Sequence, residues 1–235
     1  MSDTSQPATS RVPEPTLHRL PDYYRYLQHL EEEGIASVSC SLIGRDLNMD
    51  PTLVRKDLES IAMVGRPGVG FRLNELIPGI GAFLGYNGDK RAVLAGAGSL
   101  GTALLGHRRF AQVGLQLIAA FDNSPLRVGE RVHDVEVRPI QDLAEYVRAM
   151  DIHLGIITVP AEAAQKVADL MVEGGIRAIW NFAPVRLHLP PKIIVQNEDL
   201  YNSLAALSHR LAVMLSRESR GGKSNGVDAG GARIR

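Results

Sequence analysis

Apolar residues near the start of the chain recur every three or four positions, which is the spacing of one face of a helix. They predict a helix that begins at Thr16 and stops at Gly34, with Pro21 as a point where it kinks or restarts. The apolar positions on this face are Leu17, Leu20, Tyr24, Leu27 and Leu30.

Two shorter helices are predicted next. Ser39 is a favourable N-cap for a helix through Leu47, and Asp50-Pro51 combines an N-cap with a proline at the first helical position. The third helix is expected to turn four apolar residues inward, namely Leu53, Val54, Leu58 and Ile61. Two short helices joined by a tight turn after a longer one form the helix-turn-helix pattern.

A glycine-rich turn follows the third helix. Residues 65–72 contain three glycines and one proline, which exclude a helix but suit a tight β-turn, and Arg66 and Arg72 flank it. This pattern predicts the wing of a winged helix. A helix over 74–84 and a linker over 85–88 then place a domain boundary near residue 86.

Beyond this boundary, short apolar runs alternate with helical patterns, as in a parallel sheet covered on both faces. Strands are predicted at 92–95, 115–121, 154–159, 176–180 and 193–195, and helices from 99, at 141–149, at 161–173 and from 198 to about 215. The fold class is therefore α/β, with a winged helix-turn-helix domain before a Rossmann-type doubly wound sheet. The predicted parts are a disordered N-terminus (1–10), the winged-helix domain (11–86), the Rossmann domain (87–197), a C-terminal helix (198–216) and a disordered tail (217–235).

A G-x-G-x-x-G motif, spanning Gly96-Ala97-Gly98-Ser99-Leu100-Gly101, links the first of these strands to a helix. In this context the glycines allow a tight turn, backbone approach to a pyrophosphate and close packing of the helix on the sheet. Asp122 closes the second strand, 21 residues after Gly101, where a carboxylate accepts hydrogen bonds from the adenosine ribose. A carboxylate there repels a 2′-phosphate, so NAD(H) is favoured over NADP(H). The alternative is a glycine-rich turn that serves only packing.

Later strand ends should form the opposite wall of the crevice, because ligands bind at the carboxyl ends of parallel strands. They are Thr158-Val159-Pro160 and Asn181-Phe182-Ala183-Pro184. No histidine is well placed as a general acid or base: His153 starts a strand, His133 and His188 fall in loops or a hairpin, and His209 lies on the last helix. An enzyme is therefore not expected.

Basic residues mark a candidate DNA-binding surface. Arg55 and Lys56 lie on the outer face of the third helix, and Arg66 and Arg72 bracket the wing, a combination suited to phosphates and grooves. The alternative for the helix is an ordinary solvated face with an Arg55–Glu59 pair.

The composition mainly excludes features: a net basic charge, an internal disulfide and a membrane span. The 26 basic and 26 acidic residues cancel, so DNA binding must rest on local charge. Cys40 is the sole cysteine, and the sequence has neither a secretory signal nor an apolar run long enough to span a membrane. We expect a cytoplasmic protein with no membrane association and no metal.

Blocks of residues along both domains resemble the redox-sensing repressor family Rex. The blocks are Val12–Thr16, Tyr23–Leu27, Val54–Leu58, Gly68–Phe71, Gly96–Gly101, Ala119–Asp122, Thr158–Ala164 and Asn181–Pro184. The resemblance runs from about residue 12 to 215.

This resemblance implies a homodimer that binds an inverted-repeat operator, with the last helix of each subunit swapped onto its partner. It implies a repressor released from DNA by NADH, with NAD⁺ competing. It further implies that Arg25 and Asp199 link the DNA-binding domain to the cofactor site, and that Asp199 lies near the nicotinamide.

The chain departs from the family pattern at two places. His107 stands where many members carry a tyrosine thought to help discriminate NAD⁺ from NADH, and a histidine there would add pH sensitivity. Residues 59–64 replace a usual Ser-Tyr-Phe-Gly-like run, which affects the expected operator preference.

Two other functions are compatible with parts of the sequence. One is a small NAD-dependent dehydrogenase with a helical appendage, and the other is a CoA- or nucleotide-binding module like that of the ligase α-subunit.

Overall fold

A computed structural model describes residues 12–198 and 200–221. The chain divides into two compact units: the first runs to Lys90 and also takes in residues 107–116, and the second contains 91–106 and the chain from Leu117 onward. The first unit thus extends past the predicted boundary at 86. The Lys90 amide donates to the Gly114 carbonyl at 2.7 Å, which ties the end of the linker to the 107–116 segment. The predicted disordered N-terminus lies outside the described residues.

Helices dominate the first unit, with one small antiparallel strand pair. Its elements are α1 (Glu14–Glu32), β1 (Ser37–Val38), α2 (Cys40–Asp46), α3 (Pro51–Ser60), β2 (Phe71–Arg72) and α4 (Leu73–Phe83).

Helix α1 continues through Pro21 instead of restarting there. Its buried stripe is Thr16, Leu20, Tyr23, Leu27 and Leu30. Leu17 was predicted to lie in this stripe but is 41% exposed, and Tyr23 rather than Tyr24 is fully buried. The prediction counted only apolar residues, but Thr16 and Tyr23 can also be buried because their hydroxyl groups donate to Asp57.

The two helices after α1 begin at the predicted caps. The Leu42 amide donates to Ser39 Oγ at 3.1 Å, and the Thr52 amide donates to Asp50 Oδ1 at 2.6 Å. Leu53 was predicted to point inward but is 37% exposed. Its place in the interior is taken by Asp57, which is only 2% exposed.

A tight turn follows α3, in the position of the predicted wing. The Arg66 amide donates to the Gly70 carbonyl at 2.7 Å, and the Gly70 amide donates back at 2.9 Å. The next two residues form β2, which pairs with β1 in the register Val38↔Phe71. These two-residue strands carry no periodicity and were not predicted.

The second unit alternates strands and helices. Its elements are β3 (Lys90–Ala95), α5 (Ser99–Leu105), β4 (Leu115–Asp122), β5 (Arg131–Val132), β6 (Val135–Pro139), α7 (Leu143–Ala149), β7 (Leu154–Ile157), α8 (Ala161–Gly174), β8 (Ala178–Asn181), β9 (Ile194–Asn197) and α9 (Leu200–Gly221), while the short helix α6 (Arg109–Gln112) belongs to the first unit.

The sheet has the strand order β5-β6-β4-β3-β7-β8-β9. Strand β3 lies between β4 and β7, so the chain changes direction across the sheet at β3, and this is the switch point of a doubly wound fold. Strands β6, β7, β8 and β9 each pair in parallel with a neighbour, and β5 is added antiparallel at one edge. The β5–β6 hairpin was not predicted as strands, because its short, mostly polar sequence resembles a loop.

Apolar side chains cover both faces of the sheet. One cluster joins Val93, Phe121 and Ile157 to residues of α7 and α8, such as Val147 and Met171. A second, smaller cluster packs Leu94, Ile156 and Leu105 together on the other face. The two clusters account for the continuous apolar runs of the central strands.

Helix α9 is longer than predicted. It reaches Gly221, whereas the predicted end was 216 with a disordered tail from 217. Residues 216–220 have a polar composition, but they contain no glycine or proline to stop the helix. Among the helices that the structure describes, none has the length and apolarity to cross a membrane.

Candidate functional site

A cavity of about 630 Å³ opens at the switch point, against the carboxyl ends of β3, β4 and β7. The residues that line it come from these strand ends, from the turn after β6 and from α8: Gly96, Gly98, Phe121, Asp122, Asn123, Ile140, Gln141, Thr158, Val159, Pro160, Ala163, Lys166, Val167 and Leu170. Six predicted site residues are among them: Gly96, Gly98, Asp122, Thr158, Val159 and Pro160. This is where doubly wound folds bind nucleotides.

The three glycines of the turn differ in their surroundings. Gly96 has a φ of +102°, and a Cβ there would meet the Thr158 carbonyl carbon at 2.8 Å. A Cβ on Gly101 would overlap the Gly96 carbonyl oxygen, so only glycine allows α5 to start this close to the strand. A Cβ on Gly98 would stand in open space, with nothing within 4 Å. Free space beside the Gly98 backbone is what close approach by a pyrophosphate needs.

Two polar side chains hold the turn in place. Thr158 Oγ1 shares its one hydroxyl hydrogen between the carbonyls of Ala95 at 3.0 Å and Gly96 at 2.8 Å. Asp122 Oδ2 accepts from the Ala97 amide at 2.7 Å, and Oδ1 accepts from the Ser124 amide at 2.8 Å. A carboxylate has about four lone-pair sites, so Asp122 can still accept hydrogen bonds from a ribose.

Sequence reasoning missed the α8 wall of the cavity. Ala163, Lys166, Val167 and Leu170 line it at spacings of three, one and three, which is one helix face. The sequence indicates only that α8 begins at the crevice, because it directly follows Pro160, and it does not indicate which face of the helix lines the cavity. Lys166 brings a positive charge into a wall where only the carboxylate of Asp122 was predicted.

The predicted wall from β8 does not reach this cavity. Asn181 is fully buried, and its side-chain amide donates to Asn197 Oδ1 and to the Val185 carbonyl, both at 2.9 Å. Its Oδ1 accepts from the Ala183 amide at 3.1 Å. Asn181 therefore shapes the 182–185 loop, and Phe182, Ala183 and Pro184 belong to that loop.

The remaining motif residues have different surroundings. Ala97 and Gly101 are buried, whereas Ser99 and Leu100 are exposed at the start of α5. His107 is exposed and its ring lies 4.8 Å from that of Phe110.

Of the two residues predicted to couple the domains, the structure describes only Arg25. Arg25 is exposed on α1 and pairs with Asp22 on the same helix. Asp199 lies outside the described residues, so its predicted pairing with Arg25 remains a prediction.

The candidate DNA-binding helix presents the predicted charges. Arg55 and Lys56 are both exposed on α3. Arg55 lies beside Cys40; burial raises the pKa of that thiol, and the guanidinium only partly offsets the rise. Gly44 of α2 allows the turn between α2 and α3 to pack closely on α2, because a Cβ on Gly44 would lie 2.7 Å from the Met49 carbonyl oxygen.

Both arginines of the wing are exposed. Arg66 Nη2 donates to Glu75 Oε1 at 2.8 Å, an ion pair whose two side chains are about half exposed. Such a pair contributes little stability, so phosphate can displace Glu75 at small cost.

A buried polar network joins α1 to α3. Asp57 accepts from Thr16 Oγ1 at 2.8 Å, from Tyr23 OH at 2.7 Å, and from Arg19 through Nε at 2.6 Å and Nη2 at 2.7 Å. Burial alone would raise the pKa of Asp57, but these donors outweigh it and hold the pKa below its usual range. The network fixes the angle at which α3 packs on α1.

Within residues 12–198 and 200–221, no group of three or more histidine, cysteine or acidic side chains is arranged to hold a metal ion.

Two family models match the chain. The model described as "CoA binding domain" matches residues 87–185, and the one described as "Putative DNA-binding protein N-terminus" matches residues 11–59. The first match covers strands β3 to β8 and the second covers α1, α2 and most of α3, which agrees with a nucleotide-binding domain behind a DNA-binding one.

Curated relatives match nearly the whole chain. A redox-sensing transcriptional repressor Rex of Bacteroides fragilis is 39% identical over 203 residues, which is 86% of this chain and 92% of the relative. The Rex protein of Desulforamulus reducens is also 39% identical, over 86% of this chain and 97% of its own length. The chain belongs to the Rex family.

Solved Rex structures agree in fold along the chain. A crystal structure of RSP with β-NAD⁺ and operator DNA has a TM-score of 0.84 at 30% identity, and the match covers 92% of this chain and 99% of that one. A crystal structure of RSP with β-NADH has a TM-score of 0.79 over 89% of this chain. The predicted fold class and the resemblance to Rex are confirmed. The named relatives are repressors, so the dehydrogenase alternative gains no support. The CoA-type match covers only residues 87–185 and leaves out the helices α1 to α4.

Proposed function

We propose that the protein is a transcriptional repressor that binds operator DNA when NADH is scarce and releases it when NADH binds. One observation carries this proposal: the chain matches, over nine-tenths of its length, a Rex structure that contains both NAD⁺ and operator DNA. A protein with the same two units in the same order can bind the cofactor with one unit and change its affinity for DNA in the other.

The cavity at the switch point fits a dinucleotide. Open space beside Gly98 and the exposed start of α5 suit the pyrophosphate, and Asp122 suits the ribose hydroxyls. The fold of the Gly96 turn depends on Thr158. When bound, the cofactor supplies a nicotinamide ring whose charge differs between NAD⁺ and NADH, and we infer that the protein responds to that difference instead of using the hydride.

DNA binding is assigned to the outer face of α3 and to the wing. Arg55 and Lys56 are exposed where a recognition helix meets the major groove, and Arg66 and Arg72 flank a turn that suits the minor groove. The family match at 11–59 supports the same unit.

We further propose a homodimer in which α9 of each subunit packs on the other. Five large apolar side chains of α9 are between 49% and 63% exposed: Leu204, Leu207, Leu211, Met214 and Leu215. An apolar stripe of this kind normally has a partner. A two-fold dimer would also match an inverted-repeat operator, since each half-site then meets one winged helix. We place the repressor in the cytoplasm, where a bacterial regulator meets its DNA, without a metal.

The coupling between the domains is proposed to pass through Arg25 and Asp199, with His107 adjusting the discrimination between NAD⁺ and NADH. Arg25 is exposed, and its pair with the neighbouring Asp22 is exposed too and therefore weak. Arg25→Ala should leave the NADH affinity of the free protein intact while reducing release from DNA.

An operator titration tests the proposal. A duplex selected from a random library by the protein serves as a fluorescent probe, and anisotropy gives the affinity without cofactor and with NADH, NAD⁺ or NADPH. We expect NADH to weaken operator binding at least about fivefold, in the range of ordinary allosteric coupling, and NAD⁺ and NADPH to have little effect. Equal operator affinity with NADH and with NAD⁺ would contradict the redox-sensing claim.

A further inference from the structure

The ends of β8 and β9 are tied to the residue that leads into α9. The two strands are paired in parallel with Asn181 opposite Asn197. Glu198 follows β9, and its amide donates to the Asn181 carbonyl at 2.8 Å. Helix α9 begins two residues later, at Leu200.

A side-chain bond reinforces this backbone tie. Trp180 Nε1 donates to Glu198 Oε1 at 3.0 Å, and both residues are partly buried. A hydrogen bond to a carboxylate is stronger than one between neutral groups. Consecutive residues of β8 thus hold Glu198 through two separate bonds, one to its backbone and one to its carboxylate.

The same tryptophan contacts the loop beyond β8. Its ring lies 4.7 Å from the ring of Phe182, the first residue of the 182–185 loop that Asn181 shapes. Both rings pack on the apolar cluster that includes Leu94, Ala97 and Leu105. Ala97 belongs to the glycine-rich turn, so the packing is continuous from that turn through Phe182 and Trp180 to Glu198.

We propose that Trp180 and Glu198 are positioning residues that connect the crevice to the start of α9. A displacement of the glycine-rich turn is passed through the apolar cluster to Phe182 and the indole, and the bond of the indole to Glu198 carries the shift to the start of α9. This inference rests on the proposed function, because it describes the route by which NADH binding reaches the helix that we assign to the dimer. Coupling of this kind requires that the linked elements move together between two arrangements.

Three variants test the bond. Trp180→Phe keeps an aromatic ring beside Phe182 but removes the donor. Glu198→Ala removes the acceptor, and Glu198→Gln keeps an Oε1 acceptor for the indole. Glu145→Ala, on the exposed face of α7, is the matched control for the loss of one carboxylate.

For each full-length variant, the operator affinity is measured with and without NADH, and the NADH affinity without DNA. We expect Trp180→Phe and Glu198→Ala to reduce the NADH-driven release of operator by about fivefold, within the usual range for residues that modulate coupling. Both affinities of the free protein should stay within about twofold of wild type. Glu198→Gln and Glu145→Ala should release operator as wild type does, and Trp180→Phe/Glu198→Ala should behave like either single variant.

Full release by Trp180→Phe and Glu198→Ala would overturn the inference, as would a loss in Glu198→Gln equal to that in Glu198→Ala. A variant whose NADH affinity without DNA falls by the same factor as its NADH-driven release of operator would show a merely structural role. That result would also overturn the inference. If NADH fails to release the wild-type protein, the proposed function itself fails, and that result is separate from the behaviour of the variants.

Discussion

Gly98 and Gly101 lie three residues apart in the same motif, yet the structure predicts opposite consequences for replacing them. Gly98 has a φ of −70°, which alanine adopts readily, and its Cβ would face open space. Gly98→Ala should therefore leave the melting temperature nearly unchanged. Because the methyl group would occupy the space needed by the pyrophosphate, we expect NADH affinity to fall by about tenfold or more, which corresponds to about 1.4 kcal/mol.

Gly101→Ala is the matched counterpart. Its Cβ would overlap the Gly96 carbonyl oxygen, so the free energy of unfolding should fall by about 1–3 kcal/mol, as for other overpacked sites. Thermal melting and NADH titration of the two variants separate the effects. Normal NADH affinity in Gly98→Ala would contradict the assignment of the pyrophosphate to this turn.

The hydroxyl of Tyr23 is predicted to stabilise the fold by its bond to Asp57. Tyr23 is fully buried, and Tyr23→Phe leaves Asp57 without one of its donors. We expect the free energy of unfolding to fall by about 2 kcal/mol, as for a lost hydrogen bond to a charged group. Urea denaturation measures it, with Tyr26→Phe as the control, because the hydroxyl of Tyr26 donates to Asp46 in an exposed bond. An unchanged midpoint for Tyr23→Phe would contradict the role of the network.

Asp57 also predicts how stability depends on pH. Its pKa is lowered in the folded protein, so the folded state binds this proton less readily than the unfolded chain does. The stabilisation is present above the ordinary carboxyl pKa of about 4 and is lost as pH falls through the lower folded pKa. In Asp57→Asn, the free energy of unfolding should therefore fall less steeply than in wild type as the pH is lowered below about 4. An equally steep fall in the variant and in wild type would contradict this role of Asp57.

Residue-level chemistry was predictable where a motif dictates it. The glycine spacing and Asp122 were found from the sequence, because each has a distinct task in a nucleotide-binding turn. The inward position of Asp57 was not, because a charged residue on an amphipathic helix is expected to face solvent. Only the three-dimensional meeting of Asp57 with Thr16, Arg19 and Tyr23 makes its burial favourable.

Among the elements, α3 allows a direct test of DNA contact. If Lys56 contacts a phosphate, Lys56→Ala should weaken binding to all DNA sequences and reduce the slope of log affinity against log salt by about 1. Lys192→Ala, an exposed lysine of the second unit, is the control and should leave the slope unchanged. An unchanged slope for Lys56→Ala would remove Lys56 from the interface.

Most elements were predictable because their signals are local. The N-caps at Ser39 and Asp50, and the apolar runs of the central strands, depend on neighbouring residues alone. The β1–β2 pair and the β5–β6 hairpin were missed because such short strands form through partners distant in sequence or through a turn. The cavity wall from α8 was missed for a related reason, since which face of a helix meets a crevice depends on the packed sheet.

At the scale of the whole molecule, the exposed stripe of α9 predicts the oligomeric state. Leu207 is 63% exposed, and Leu207→Glu would place a charge in the proposed dimer interface. We expect this variant to be monomeric and the wild type dimeric by light scattering after gel filtration. Leu126→Glu is the control, because Leu126 is 86% exposed in a loop of the second unit. If the wild-type protein is a monomer, the proposed homodimer is wrong, and so is the proposal that its two winged helices bind the two half-sites of an inverted repeat.

If binding of NADH and binding of operator DNA are coupled in one protein, each ligand must change the affinity for the other, and this reciprocity can be measured. The measurement is the NADH affinity of the wild-type protein, by calorimetry, with and without saturating operator duplex. We expect operator to weaken NADH binding by the same factor by which NADH weakens operator binding. An NADH affinity that is the same with and without operator would contradict it.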